Sequence, residues 1–221
     1  MDEVHGPIER ALAAIGERIA AAGGEGVRIV AVTKGFDLGV VRAARAAGCG
    51  DIGENYAQEL VSKAPALEVD AAGERPRVHF IGGLQTNKVR QIADLVDVYD
   101  SVDRVSLIDE IARRAPGAEV LIQVNSTGES SKAGCRPDQV GSLVEHASAS
   151  GLVVCGLMTV GPTDGDPMVT RQGFALVRRL VDSLGLEVCS MGMSDDLEVA
   201  IAEGSNEIRV GSALFGPRPP R

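Results

Sequence analysis

Apolar and polar residues alternate along the chain with two periods, one typical of helices and one of strands. Residues 7–22 carry isoleucine or leucine at positions 8, 12, 15 and 19, and Pro7 stands at a favourable first helical position. This spacing predicts an amphipathic helix with one buried face. The glycine-rich residues 23–26 end the helix, and the β-branched run that begins at Val27 predicts a strand.

Short apolar runs of strand length then recur along the chain, and segments with helical spacing separate them. These candidate strands lie near residues 27–33, 50–53, 77–82, 96–100, 118–124, 152–158, 187–191 and 206–210. Eight strands that alternate with helices predict a (β/α)₈ barrel over about residues 27–216. Together with the extra N-terminal helix, the chain 1–221 is expected to form a single α/β domain.

An open, doubly wound sheet is the alternative architecture for alternating strands and helices. Such sheets usually have fewer strands, and many carry a glycine-rich dinucleotide fingerprint after the first strand. Here the first strand ends in Thr33-Lys34-Gly35-Phe36 instead. The Pro- and Gly-rich residues 160–167 are interpreted as one long loop between a strand and a helix, with no domain boundary.

Composition and charge are those of a soluble globular protein and restrict its partners. Of the 221 residues, 44% are hydrophobic and 24% are charged, which is near the average of folded domains. The formal net charge of −9 and the lack of tryptophan argue against nucleic acid and anionic membranes as partners.

The four cysteines, at positions 49, 135, 155 and 189, are far apart and lack the spacing of a metal site. The N-terminus is acidic, unlike a secretory signal, and no apolar run approaches the length of a membrane span. We therefore expect a cytoplasmic protein with free thiols and no bound metal.

In a barrel of this type the chemistry lies at the carboxyl ends of the strands, and these positions are unusually polar here. Lys34 ends the first strand. Burial and a second cation would lower the pKa of its amine toward the neutral form that attacks a carbonyl group. The alternative is a lysine that extends from the barrel rim to solvent.

The last two strand ends supply a second feature. The segments Ser190-Met-Gly-Met-Ser194 and Arg209-Val-Gly-Ser212 lie where barrels commonly bind phosphate, and a short helix is expected near Ser212. The glycines suit tight turns equally well. Together, an amine and a phosphate site favour a phosphorylated aldehyde or ketone, with pyridoxal phosphate (PLP) and aldol-type sugar phosphates as the two candidates.

Other polar positions give weaker indications. His79 suits a hydrogen-bonded core or rim histidine better than a general base. Glu54 either anchors the following helix or acts on a ligand. In the polar loop of residues 125–135, Lys132 is either solvated or part of a ligand lid, and nothing indicates a lowered pKa for Cys135.

At these positions the sequence resembles the pyridoxal phosphate homeostasis protein family, whose members look like the barrel domain of fold-type III alanine racemases standing alone. The shared motifs are Ala31-Val-Thr-Lys34, Gly53-Glu-Asn-Tyr56, His79-Phe-Ile-Gly-Gly-Leu-Gln-Thr-Asn-Lys88, Val124-Asn125, Lys132-Ala-Gly134, Gly156-Leu-Met-Thr159, Ser190-Met-Gly-Met-Ser-Asp-Asp-Leu-Glu198 and Arg209-Val-Gly211. Each motif is weak alone, but the ordered set covers nearly the whole chain and is highly specific.

The resemblance implies a fold-type III barrel in which Lys34 holds PLP as an internal aldimine. It places Asn55 close to the ring and Ser194, Gly211 and Ser212 around the phosphate. Arg209 matches the arginine that faces the pyridine nitrogen in the related racemases, with the phosphate as its alternative contact.

Two positions depart from the family's pattern. Val78 precedes His79 where tryptophan is frequent in relatives, and Asn206 stands where threonine is common. The second change removes one candidate phosphate hydroxyl, although an asparagine amide also donates hydrogen bonds.

The function that the resemblance implies is a monomeric carrier that buffers PLP and delivers it to PLP-dependent apo-enzymes. The alternatives are an amino acid racemase or another PLP enzyme, and class I aldolase chemistry. Two-base racemisation needs an acid on the far face of the ring, which alanine racemases take from a tyrosine of a second domain. The chain ends five residues after Gly216, and neither Tyr56 nor Tyr99 matches that tyrosine. A non-catalytic role is therefore expected.

Overall fold

The computed structural model describes residues 2–69 and 73–218. Within these ranges the chain forms eight strands and nine α-helices. The strands are β1 (Arg28–Val32), β2 (Asp51–Glu54), β3 (Arg77–Phe80), β4 (Val98–Val102), β5 (Glu119–Gln123), β6 (Val153–Met158), β7 (Val188–Ser190) and β8 (Glu207–Val210). The helices are α1 (Asp2–Ala21), α2 (Leu38–Ala46), α3 (Ala57–Lys63), α4 (Thr86–Ile92), α5 (Val105–Arg114), α6 (Val140–Ala149), α7 (Pro167–Ser183), α8 (Leu197–Ala202) and α9 (Ser212–Phe215).

The strands close into a parallel barrel. Each strand pairs with the next one along the chain, and β8 pairs with β1 to complete the circle. In this closing pair Val30 lies opposite Arg209, which brings the first and last strands of the sequence side by side. The predicted (β/α)₈ barrel and its eight strands are confirmed, and the open sheet is excluded.

Helix α1 precedes the barrel as predicted, but it begins at Asp2 instead of residue 7. Pro7 therefore lies inside the helix, where its missing N–H removes one helical hydrogen bond. The predicted apolar face is correct, because Ile8, Ile15 and Ile19 are buried. Helix α1 contacts α2, α8 and α9, so it packs across the helices that flank the junction of β1 and β8.

Aspartate caps begin two of the helices that follow barrel strands. Oδ1 of Asp37 accepts hydrogen bonds from the backbone N–H groups of Gly39 and Val40 at the start of α2. Asp166 caps α7 in the same way, at the end of the loop that the sequence predicts over residues 160–167. These caps satisfy N–H groups that the helices leave unpaired and fix where each loop ends.

The main apolar core lies between the strands and the surrounding helices, and its largest buried side chains include Tyr99, Phe80 and Phe174. The inside of the barrel is more polar. His79 on β3, Asp100 on β4 and Glu207 on β8 are buried and have side-chain atoms within 4.8 Å of one another. Because these strands are not all neighbours, the three groups meet across the barrel interior.

Candidate functional site

A cavity of about 150 Å³ opens at the carboxyl ends of the strands. It brings together five of the six residues that the sequence predicts for cofactor binding, drawn from both ends of the chain. These are Lys34, Ser194, Arg209, Gly211 and Ser212. The remaining lining residues are Val32, Ile81, Met193, Asp195 and Arg218.

Lys34 lies two residues beyond the end of β1 and lines this cavity in a half-buried position. Burial lowers the pKa of its amine, and the nearby charges of Arg218 and Arg209 lower it further, while Glu54 opposes the shift. The expected combination of burial and a second cation is thus present, and it is supplied by two arginines. A larger fraction of this amine is neutral, and therefore nucleophilic, than for an ordinary surface lysine.

Arg209 lies on β8 with its guanidinium almost completely buried. One of its terminal nitrogens donates to Oγ of Ser190 at 2.7 Å, and the other donates to the backbone oxygen of Thr159 at 2.7 Å. Burial lowers the pKa of Arg209, while Asp100 and Glu207 raise it. The side chain is therefore fixed between β6 and β7 and presents a positive charge to the floor of the cavity.

Ser194, Gly211 and Ser212 form one side of the cavity where the loops after β7 and β8 meet. The Ser212 hydroxyl donates to Oγ of Ser194 at 3.1 Å, and the backbone N–H of Ala213 donates to the same oxygen at 3.3 Å. A Cβ at Gly211 would lie 3.1 Å from the backbone oxygen of Val32, so the absence of a side chain lets this loop approach β1. The predicted short helix after Gly211 is confirmed as α9.

Asn55 lies outside the Lys34 cavity, in an adjoining surface cavity that Tyr56, Gly83 and Lys88 also line. Its Oδ1 is buried and has no hydrogen-bond partner among the described residues. A Cβ at Gly82 would lie 2.2 Å from the backbone oxygen of Asn55, so only glycine permits this close approach of the two loops. The sixth predicted residue is thus next to the site but separate from its lining.

His79 is a hydrogen-bonded core residue, as the sequence favours, but it does not lie at the carboxyl-end mouth. Its ring nitrogens lie 3.1 Å from carboxylate oxygens of Asp100 and Asp51. Burial opposes the charged form, yet the Asp100 and Asp51 carboxylates raise the pKa of His79 to about 10. The imidazole therefore carries a proton at neutral pH and is satisfied on both sides, which leaves it no free atom for general-base chemistry.

Glu54 anchors the helix that follows its strand, which was one of the two sequence interpretations. Its Oε1 accepts from the amine of Lys63, the last residue of α3, at 2.6 Å, and from the Thr33 hydroxyl at 2.5 Å. Both side chains of the ion pair are nearly inaccessible to solvent. Sequence inspection did not single out Lys63, because its position in an exposed-looking helical segment gives no sign of burial.

The loop after β5 contacts the loop after β6 instead of standing free in solvent. The Lys132 amine donates to the backbone oxygen of Gly161 and lies 3.1 Å from Oε1 of Glu129. Glu129 in turn accepts from the hydroxyl of Thr163 at 2.6 Å. Cys135, which follows this loop, is buried, and burial raises the pKa of its thiol to about 11, so it is not an activated thiol.

Asn206 does not lie near the cavity. Its amide nitrogen donates to the backbone oxygen of Glu187 at 2.7 Å, and its amide oxygen accepts from the backbone N–H of Cys189 at 2.7 Å. These bonds tie the segment before β8 to the beginning of β7, at the amino ends of the strands. The Asn206 amide, whose capacity to donate the sequence left open, is thus engaged in these backbone bonds and does not line the cavity.

Arg218 and Asp195 also line the cavity, and sequence reasoning missed both. Arg218 lies beyond α9 and contacts the turn after β1, where its Cδ approaches Gly35. No periodicity or spacing marks a residue of this C-terminal segment as part of the site. Asp195 directly follows Ser194 in the sequence, and this adjacency is the one sequence feature that indicates a place for Asp195 in the site.

Comparison with known proteins defines the class to which this barrel belongs. A family model described as "Alanine racemase, N-terminal domain" matches residues 9–219. The pyridoxal phosphate homeostasis protein of Pseudomonas aeruginosa is 39% identical over 199 residues, which cover 87% of this chain and 85% of that protein. The chain therefore belongs to the alanine racemase N-terminal domain family and, within it, to the pyridoxal phosphate homeostasis proteins.

Solved structures agree with this assignment. A protein of Bifidobacterium adolescentis described as unknown has a TM-score of 0.86 and 37% identity, with 97% of each chain covered. PipY of Synechococcus elongatus, solved with PLP bound, has a TM-score of 0.76 and 29% identity and covers 91% of this chain and 100% of its own.

In the described ranges, none of the helices is both long and apolar enough to cross a membrane.

Proposed function

We propose that this protein binds PLP in the Lys34 cavity and acts in the intracellular homeostasis of this cofactor. The observation that carries the proposal is the placement of one half-buried lysine, whose amine has a lowered pKa, beside Arg209 and Arg218. A carbonyl compound with an anionic group suits this set, because the amine attacks the carbonyl and the guanidinium groups balance the negative charge. The names of the relatives support PLP as that compound.

The residues of the cavity fit PLP in their chemistry. When bound, PLP supplies an aldehyde, and Lys34 holds it covalently through its amine. Ser194, Ser212 and the backbone at Gly211 provide small groups and hydroxyl donors for the phosphate. Arg209 provides a fixed donor for the ring nitrogen or the phosphate. Asn55 lies in the adjoining cavity, where its buried, unpartnered Oδ1 is available to accept a hydrogen bond from the cofactor.

A carrier fits these residues better than an enzyme does. Tyr99 is buried in the core and Tyr56 lines the adjoining cavity, so among the described residues neither tyrosine lines the Lys34 cavity. The carrier keeps a reactive aldehyde bound, as a monomer in the cytoplasm, and passes it to PLP-dependent apo-enzymes. The relatives named as homeostasis proteins support this role.

An absorption spectrum of the purified protein tests the proposal. Addition of PLP should produce a visible band that borohydride abolishes, and peptide mapping should place the reduced adduct on Lys34. The Lys34→Ala variant should lose both band and adduct, whereas Lys88→Ala, which removes an amine from the adjoining cavity, should keep both. An unchanged adduct in Lys34→Ala would contradict the assignment, and no band in the wild-type protein would contradict PLP binding itself.

A further inference from the structure

A buried ion pair lies directly behind Lys34. The Lys63 amine donates to Oε1 of Glu54 at 2.6 Å and to the backbone oxygen of Thr33 at 2.8 Å. Lys63 is only 2% exposed, and Glu54 is completely buried. An amine in this position is withdrawn from solvent and from any aldehyde, so Lys63 does not compete with Lys34 as a nucleophile.

The contacts of this ion pair reach both sides of Lys34. Before it, Thr33 is held twice, through its carbonyl oxygen by Lys63 and through its hydroxyl by Glu54. After it, the backbone N–H of Gly35 donates to Oε2 of Glu59 at 2.8 Å, and that carboxylate lies 3.9 Å from the Lys63 amine. We call Thr33, Glu54, Glu59 and Lys63 the β1 clamp.

The clamp acts where the sheet no longer holds the chain, and it adds to a turn bond of 3.1 Å from the Phe36 N–H to the Thr33 oxygen. The last ladder bond of this edge runs from the Thr33 N–H to the backbone oxygen of Gly53, and β1 ends one residue earlier at Val32. Beyond that point Lys34 begins a turn in which Gly35 has a φ of +78°. Side chains of β2 and α3 therefore supply the hydrogen bonds that the sheet no longer supplies.

Stability is a poor explanation for this arrangement. A buried ion pair is costly to desolvate and is often replaced by apolar residues without loss of stability. Here the second oxygen of Glu54, Oε2, is also buried without a hydrogen-bond partner among the described residues, which adds a further cost. A pair retained under these conditions is better explained by the position that it gives to a neighbouring group.

We propose that Glu54 and Lys63 are positioning residues for Lys34, because they hold Thr33 before it directly and Gly35 after it through Glu59, and thereby fix the place of its amine in the cavity. This inference rests on the proposed covalent binding of PLP by Lys34. Bond formation between an amine and an aldehyde requires close approach in one orientation, and a displacement of about 1 Å costs up to about 100-fold in rate. Loss of the clamp should therefore slow covalent binding of PLP markedly and change the free energy of unfolding little.

The test compares two double variants of the full-length protein. Lys63→Met combined with Glu54→Gln removes both charges of the clamp at nearly constant volume. Arg77→Met combined with Glu119→Gln removes an ion pair at the opposite end of the barrel and serves as the matched control. For each protein, stopped-flow absorbance gives the rate constant of PLP attachment. A pH titration follows the visible absorption of bound PLP as a function of pH, and thermal unfolding gives Tm.

The clamp variant should attach PLP at least about tenfold more slowly and show a shifted pH profile, with Tm changed by no more than about 4 °C. The control should keep the wild-type rate and profile. If the clamp variant fails to fold, Thr33→Val, which removes only the hydroxyl bond to Glu54, replaces it and should still slow attachment several-fold.

A wild-type rate and pH profile in the clamp variant, or in Thr33→Val where that variant is needed, would overturn the positioning role. The proposed function would then survive, because the adduct would still map to Lys34. If the wild-type protein itself gives no adduct, the proposed function and this inference fail together.

Discussion

Arg209 both links three strands of the barrel and lines the candidate cavity. Its bonds to Ser190 and to the backbone of Thr159 hold β6, β7 and β8 together at the carboxyl end of the barrel. Its planar guanidinium group also faces the cavity that Lys34 lines. Since those two bonds fix the side chain before any ligand arrives, little conformational entropy is lost when it contacts a ligand.

The Arg209→Gln variant should bind PLP about ten- to a hundred-fold more weakly. The reason is the loss of a charge-assisted hydrogen bond, worth roughly 1.5 to 3 kcal/mol. Titration of the visible absorption measures the change in affinity. Arg178→Gln is a suitable control, because Arg178 bonds to Asp182 and to the backbone oxygen of Gly204, away from the cavity. Normal PLP affinity with only a lowered Tm would make Arg209 a purely structural residue.

At this scale the sequence predicted which residues lie together at the cavity better than it predicted how deep in the barrel each residue lies. Lys34 could be found because it ends an apolar run, and strand ends share one mouth in a parallel barrel. His79 was correctly expected to be a hydrogen-bonded core or rim residue, but its depth in the barrel could not be predicted, since the tilt of barrel strands decides which layer a residue occupies. Arg218 and Lys63 could not be found, because tertiary contacts alone bring the first to the turn after β1 and bury the second.

Strands and helices were predictable where their periodicity was long and their ends carried glycine or capping residues. All eight strands fall within or beside the predicted runs, and the loop over residues 160–167 ends in the Asp166 cap. The start of α1 was missed, because Pro7 favours the first helical turn without requiring it. The pairing of β8 with β1 could be predicted only from the count of eight strands, because no residue pattern indicates it.

The polar layer inside the barrel links β3, β4 and β8 through His79, Asp100 and Glu207. Its carboxylates raise the pKa of His79 to about 10, whereas an unfolded histidine titrates near 6.5. The folded protein thus holds a proton that the unfolded chain releases above about pH 6.5. The stabilising effect is complete below that pH and is lost as the pH rises toward 10.

The free energy of unfolding should therefore fall between pH 7 and pH 9, by at most about 1.4 kcal/mol per pH unit from this one proton. Urea denaturation at several pH values measures it. The double variant His79→Gln with Asp100→Asn replaces both charged groups by amides and should show a flatter profile over that range. Parallel profiles for the two proteins would mean that His79 is neutral in the folded state.

At the scale of the whole molecule, the carboxyl end of the closed barrel carries a cavity that Lys34 lines together with two arginines. Among the described residues that line it, Asp195 is the only acid and Lys34 the only lysine. Two-base racemisation needs a proton donor and an acceptor on opposite faces of the substrate, and each contributes about 10²- to 10⁴-fold. If Arg209 contacts the ring nitrogen of bound PLP, as the resemblance implies, that nitrogen would stay unprotonated, which would weaken the stabilisation of a carbanion.

We accordingly expect the PLP-loaded protein to show no appreciable racemase activity. Incubation with L-alanine in deuterated water, followed by measurement of both Cα deuterium exchange and D-alanine, tests this directly, with an authentic alanine racemase as the positive control. Turnover at about 1 per second or faster, the range of ordinary enzymes, would contradict the carrier role and favour the racemase alternative.

The burial of Lys63 and the bonded state of Lys132 have a consequence for stoichiometry. Only four of the 22 basic residues are lysines, and arginine side chains, which stay protonated, are poor nucleophiles toward aldehydes. With one lysine amine enclosed by Glu54 and another bonded to Gly161 and Glu129, Lys34 has few rivals of its own kind. On the proposed function, Lys34 and Lys88 are then the lysines left to react with free aldehyde, so we expect few adducts per chain.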